Sequence, residues 1–192
     1  MTQVWTIIIS ILQALWLPFI VYFGAGATMI LASGHRDVDK QWKESRTLKN
    51  RTALYMRWKG YDTNDVAELW GALDARARRS ERRFLQLDLF FPFFYGGSFL
   101  VALMQVWTEL GKPFSLVWII APVLLTAIAD WTENLTQLGQ LGRFVVNGKA
   151  GLQAERVQTA STATVVKLFS FIFGLLAFLI GLAIWRGVQM AK

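Results

Sequence analysis

SLVWIIAPVLLTAIADWTENL, residues 115–135, runs without a charge from Ser115 to Ala129 and then meets Asp130, Glu133 and Asn134. A helix rises 1.5 Å per residue, so about 20 apolar residues are needed to cross a hydrocarbon core ~30 Å thick. Three further segments reach that length, at about residues 4–33, 84–107 and 164–186. The short alternating segments of about 10 residues that a membrane barrel requires are not visible. Composition agrees, since 54% of the 192 residues are hydrophobic and nine are Trp. A soluble domain of this length carries more charge and shorter apolar runs. The expectation is an all-α integral membrane protein with a single membrane domain over residues 1–192. It is a four-helix transmembrane bundle with an amphipathic cytoplasmic helix between spans 1 and 2. The cytoplasmic loops are expected at 34–83 and 136–163. The first segment lacks a positive n-region and exceeds an h-region in length, so it is read as a retained span.

A net charge of +7 raises the question of nucleic acid, but the distribution of charge answers it differently. Thirteen of the twenty Lys and Arg lie between the first two segments, and Arg143, Lys149, Arg156 and Lys167 flank the gap between the last two. Only Lys112, Arg186 and Lys192 fall on the opposite side. By the positive-inside rule both loops are cytoplasmic and both termini lie on the non-cytoplasmic side of a cell (inner) membrane. Nucleic acid is therefore not an expected partner. Trp5, Trp107, Trp118 and Trp185 fall at the ends of the segments that this topology places outside, where indoles favour the headgroup layer.

The chain has no cysteine, which removes disulfides, thiolate metal sites and thiol nucleophiles. The single His35 excludes two-histidine metal motifs, and no metal is expected. His35 follows Ser33-Gly34 at the inner mouth of the first span and is expected to be solvated there. No residue pattern names a cofactor.

Within 34–83, Leu54, Tyr55, Met56, Trp58 and Tyr61 are too apolar for a flexible linker. Asp62-Thr63-Asn64 reads as a helix cap, followed by Val66, Leu69, Trp70, Leu73 and Ala77 at helical spacing. Asp65 and Glu68 near the start of this stripe and Arg76 to Arg83 near its end suit the dipole of one helix. The stripe is expected to lie on anionic headgroups or to cap the bundle from inside. In the second span Asp88 and Tyr95 are seven apart and share a face, with Pro92 bending the helix between them. In the third, Thr126, Asp130, Glu133, Asn134 and Gln137 form one polar stripe. Gly174 and Gly181 give the fourth span a small-residue seam for a partner helix. Gly139, Gly142, Gly148 and Gly151 make 136–163 read as irregular or hinged.

A short outer loop makes spans two and three a hairpin, which brings Asp88 and Tyr95 to the depth of Asp130, Glu133 and Asn134. A carboxylate facing lipid costs about 2.5–3.5 kcal/mol, so these residues face the bundle or water. Three readings are open. The acids form a structural network neutralised by Lys167, Arg143 or the arginines before Phe84. Alternatively, they bind a small ligand, lipid headgroup or cation. In the third reading, an intramembrane enzyme uses a carboxylate pair on a lipid-soluble substrate. The candidate ligand-binding residues are Asp88, Tyr95, Asp130, Glu133 and Asn134, and binding is preferred to catalysis. Expected partners are membrane lipid and, for a rival accessory or assembly subunit, a membrane-protein partner or homo-oligomer.

The phrases from Leu87 to Tyr95 and from Ala129 to Asn134 resemble motifs of uncharacterised small four-span bacterial membrane proteins. Those carry D-x-x-F-P-x-x-Y and D-x-x-E-N at matching places, and here Asp88 is followed by Leu-Phe-Phe-Pro. The resemblance covers the second and third spans, implies a shared site and supplies no reaction.

Overall fold

Helix boundaries in this chain are set by caps, glycines and one proline. The computed structural model describes residues 20–45, 53–111 and 115–190. Trp5, Pro18 and the rest of residues 1–19 lie outside the described residues. Helix α1 (Ile20–Ser33) turns at Gly34, in the left-handed region at φ 73°, into α2 (His35–Glu44). A 3-10 turn at Leu54–Met56 precedes α3 (Thr63–Gly71) and α4 (Ala75–Asp88). The long helices are α5 (Phe91–Glu109), α6 (Val117–Asn147) and α7 (Ala154–Met190). The described residues are all-α, with no strand.

The amphipathic stripe is buried as its spacing requires, but it is divided between two helices. Asp62 caps α3 through a capping box, its carboxylate accepting from the backbone N–H of Asn64 and Asp65 at 2.8 and 2.9 Å. Helix α3 ends at Gly71, and Asp74 starts α4 by accepting from the Ala77 N–H at 2.7 Å. The expected single dipole is corrected accordingly. Arg76, Arg78 and Arg79 stand in the N-terminal half of α4, the positive end of that helix. Arg78 compensates by donating to the Trp70 carbonyl at 3.0 Å and lying over the Phe144 ring at 5.4 Å. Val66, Leu69, Trp70, Leu73 and Ala77 pack against Leu141 and Phe144 of α6 and Val157 and Ala160 of α7. Each large side chain so buried contributes about 1.5–3 kcal/mol. The stripe thus closes one end of the bundle.

The region expected as an irregular loop at 136–163 is mostly helix. Helix α6 continues to Asn147, and α7 begins at Ala154, because Leu141, Phe144, Val157 and Ala160 have the α3–α4 cap to pack against. Only Gly148 to Gln153 turns the chain, through a second 3-10 segment at Gly148–Gly151. The segment expected as the second span also differs from a single bent helix. Helix α4 stops at Asp88, Leu89-Phe90 intervene, and Pro92 lies in the first turn of α5, where its missing N–H is tolerated. His35 is corrected too: it is 4% exposed, stacked on Phe84 at 4.0 Å, with Glu81 3.3 Å from its Nδ1. The turn at Gly34 folds α2 back against α4, which encloses the ring.

Helices α5, α6 and α7 share a second core of Ala102, Leu103, Val106, Val123 and Phe178. Gly174 faces Phe99 and Gly181 faces Val106, each so closely that an added Cβ would come within 2.9 Å. The small-residue seam is therefore used within the chain. Among the described residues two helical stretches, Ala75–Glu109 and Ala154–Trp185, are long and apolar enough to cross a membrane. Only 33% and 17% of their apolar windows are buried, whereas the core helix of a soluble protein would be mostly covered.

The Asp62 cap titrates in a predictable direction. The Asp65 N–H holds its carboxyl below the ordinary value, assisted by the Asn64 N–H. Its contribution is therefore complete above the unfolded value of about 3.9 and is lost as pH falls through the lower folded value. Asp62→Ala is expected to cost about 0.5–2 kcal/mol at pH 7. Melting midpoints of variant and parent should converge as pH is lowered below about 4; an undiminished gap at pH 3 would show that the cap is not electrostatic.

Candidate ligand-binding site

Helical spacing on α6 builds one wall of the site. Asp130 and Asn134 are four apart, and the Asn134 amide donates to Asp130 Oδ1 at 3.3 Å. Glu133 and Gln137 repeat the pattern one row over, the Gln137 amide donating to Glu133 Oε1 at 3.0 Å. The α4–α5 break supplies the facing wall. Asn134 also donates to Asp88 Oδ2 at 3.0 Å, and the Tyr95 hydroxyl donates to Asp130 Oδ2 at 3.0 Å. Asp88 is the last residue of α4 and Tyr95 lies in the first turns of α5, so the break aims both at α6. Trp131 secures that break: its indole N–H donates to the Leu89 carbonyl at 2.8 Å, giving a partner to an acceptor at the interruption.

Lys167 of α7 completes the cluster. Its ammonium donates to Asp130 Oδ1 at 3.0 Å and lies 2.5 Å from Glu133 Oε2. Of the basic groups that sequence offered as neutralisers, Lys167 is the one that reaches these two acids. Behind it, Gln137 donates to the Tyr61 hydroxyl at 2.9 Å, and the Thr164 hydroxyl lies 3.4 Å from the same oxygen. Burial and the Glu133 charge push the Tyr61 phenol up, so it remains protonated. Farther along the bundle the hydroxyls of Thr126 and Ser170 are 2.9 Å apart.

These polar groups border a cavity of about 550 Å³. Its polar lining includes Asp88, Tyr95, Thr126, Asp130 and Lys167. Its apolar walls come from α1, α4, α5 and α7, through Tyr22, Phe84, Phe91, Leu168 and Phe171. Phe23, Ile30 and Met56 also line it while being exposed at 64%, 38% and 53%, which puts them at its mouth. Tyr55 lies along the same wall, and burial followed by the Glu81 charge pushes its phenol up to about 12, keeping it a hydrogen-bond donor at neutral pH.

Of the five residues expected in the site, Asp88, Tyr95 and Asp130 line the cavity. Glu133 and Asn134 are fully enclosed behind it, at 0% and 2% exposure, and hold its acids in place. Tyr22 and Phe171 were not read from sequence as site residues. Their signal there is only an aromatic residue in an apolar run, which any core position would give. Among the described residues, no three or more of His, Asp and Glu are arranged as a metal ligand set.

Comparison with protein-family models, curated sequences and solved structures gave no match.

Lys167→Met should leave Asp130 and Glu133 buried without their cation and destabilise the protein by about 3–5 kcal/mol. Adding Glu133→Gln should recover part of that loss. Thermal unfolding of the purified variants measures both, and an additive double variant would show that the pair is not coupled.

Proposed function

We propose that the chain is a four-span membrane protein that binds a membrane-soluble small molecule or a lipid headgroup in the cavity bounded by Asp88, Tyr95, Asp130 and Lys167. The observation that carries this reading is the shape of the cavity: a polar end deep between helices and an apolar mouth at Phe23, Ile30 and Met56. Pockets of about 300–1,000 Å³ with a few convergent polar groups on apolar walls are the usual form of small-molecule sites. An amphiphile matches both ends. Its head finds hydrogen-bonding groups and its tail leaves through the apolar mouth.

Membrane placement is supported by the two long apolar helices and by the outward faces of α5, α6 and α7. Val101 of α5, Val117 and Ile128 of α6, and Phe169, Phe173 and Ile180 of α7 each expose more than half of their surface. Apolar exposure on this scale needs a partner surface or lipid. In this reading α1 and α6 are the other two spans, and the α2–α4 cap lies on the cytoplasmic side because the basic residues are concentrated there. The likeness of the segments around Asp88 and Asp130 to four-span bacterial proteins fits the same arrangement. The accessory-subunit alternative has less to draw on, since the Gly174–Gly181 seam is occupied by α5.

Because the chain has no cysteine, single replacements report sidedness directly. A membrane-impermeant maleimide should label Lys112→Cys in intact cells and Lys40→Cys only after permeabilisation. The reverse pattern overturns the orientation. For the site, native mass spectrometry of protein extracted in maltoside should show a bound small molecule or lipid. Ala27→Trp, which fills the cavity from its α1 wall, should remove that species without lowering the melting midpoint. Equal occupancy in parent and filled variant would count against the pocket.

A further inference from the structure

Charge within the cavity is unevenly compensated. Lys167 spends its contacts on Asp130 and Glu133, at 3.0 and 2.5 Å. Asp88 is 7% exposed and lines the cavity, yet among the described residues it receives only the neutral Asn134 amide, on Oδ2. Among the described residues no donor reaches Asp88 Oδ1, and no basic group lies within ion-pair distance of either oxygen. A buried carboxylate without a cation is costly, and a cation brought by a ligand would relieve that cost. An anionic ligand meets the opposite situation. Lys167, the one ammonium lining the cavity among the described residues, already has two carboxylates, and Asp88 and Asp130 would repel a third.

The surroundings of Asp88 select the kind of cation. A hard metal ion takes six or more oxygen ligands, or keeps several waters, and the lining here is mainly aromatic and aliphatic. Tyr22, Phe91 and Tyr95 form a contiguous aromatic wall, with ring centroids 5.4 Å apart for Tyr22–Phe91 and 5.1 Å for Phe91–Tyr95. Aromatic faces attract organic ammonium groups through the ring quadrupole, most strongly where water is excluded. The apolar mouth then accommodates hydrocarbon attached to the nitrogen.

Resting on the pocket reading above, we propose that the ligand is an organic ammonium amphiphile. Its nitrogen sits against Asp88 beside the Tyr22–Phe91–Tyr95 wall, and its hydrocarbon leaves past Phe23, Ile30 and Met56. The same chemistry is available from the amine head of a zwitterionic lipid and from a free amphiphilic amine.

Calorimetric titration of the full chain in maltoside with octylammonium, octanol and octyl phosphate tests the assignment. Octylammonium should bind at least about 10-fold more tightly than either control, and Asp88→Asn should weaken it by about 10- to 100-fold, the range for a charged hydrogen bond. Phe91→Leu provides a second variant that keeps the carboxylate and is expected to weaken octylammonium by about 2- to 30-fold. If all three probes bind equally and Ala27→Trp abolishes each, the pocket stands and the ammonium assignment falls. If no probe binds, or Ala27→Trp changes nothing, both fall. Nanodiscs separate the two sources. Competition by phosphatidylethanolamine but not phosphatidylglycerol identifies a lipid head, and binding of octylammonium undiminished by either identifies a free amine.

Discussion

Lys167 lies between Asp130 and Glu133 inside a bundle whose other contacts are mostly apolar. Ions removed from water incur several kcal/mol each, and only close opposite charge with further hydrogen bonds offsets it. That constraint organises the middle of the molecule. It fixes the rotation of α7 against α6, because the ammonium must meet two carboxylates one turn apart. Asn134 and Gln137 occupy remaining acceptor sites of the acids, and the Tyr95 hydroxyl takes another. The helices around this cluster cannot rotate independently without stranding a charge.

The end cap and the bundle depend on each other for the same reason. Tyr61 belongs to the core formed by α3, α4, α6 and α7, and its hydroxyl also touches Gln137 and Thr164. Its backbone N–H donates to Ser161 Oγ at 2.8 Å, where Gly60, at φ 75°, leaves room that a side chain would fill. A polar network within one end of the bundle is thereby tied to an apolar core beyond it. This coupling lets α6 run on to Asn147 and α7 start at Ala154, since their ends have a surface to bury.

Beside this satisfied network lies the part that is not satisfied. The α4–α5 interruption, held by Trp131 on the Leu89 carbonyl, turns Asp88 inward beneath an aromatic wall and beside open volume. Glu133, Asn134 and Gln137 maintain the bundle, while Asp88 and Tyr95 face the cavity, and Asp130 does both.

Long apolar runs, the charge imbalance along the chain and the placement of Asp88 near Asp130 were legible in sequence, because hydropathy and helical spacing are local properties. So was the buried stripe from Val66 to Ala77. The split of that stripe at Asp74, the helical state of 136–163, the burial of His35 and the choice of Lys167 over Arg143 were not. Each depends on what surface stands opposite, and no residue's own pattern encodes its neighbour. The sequence by itself determined which residues must avoid water and which acids need a polar or charged partner. Only the tertiary structure decided which acids find a cation and which one is left facing a cavity, because charge compensation is set by distance through space.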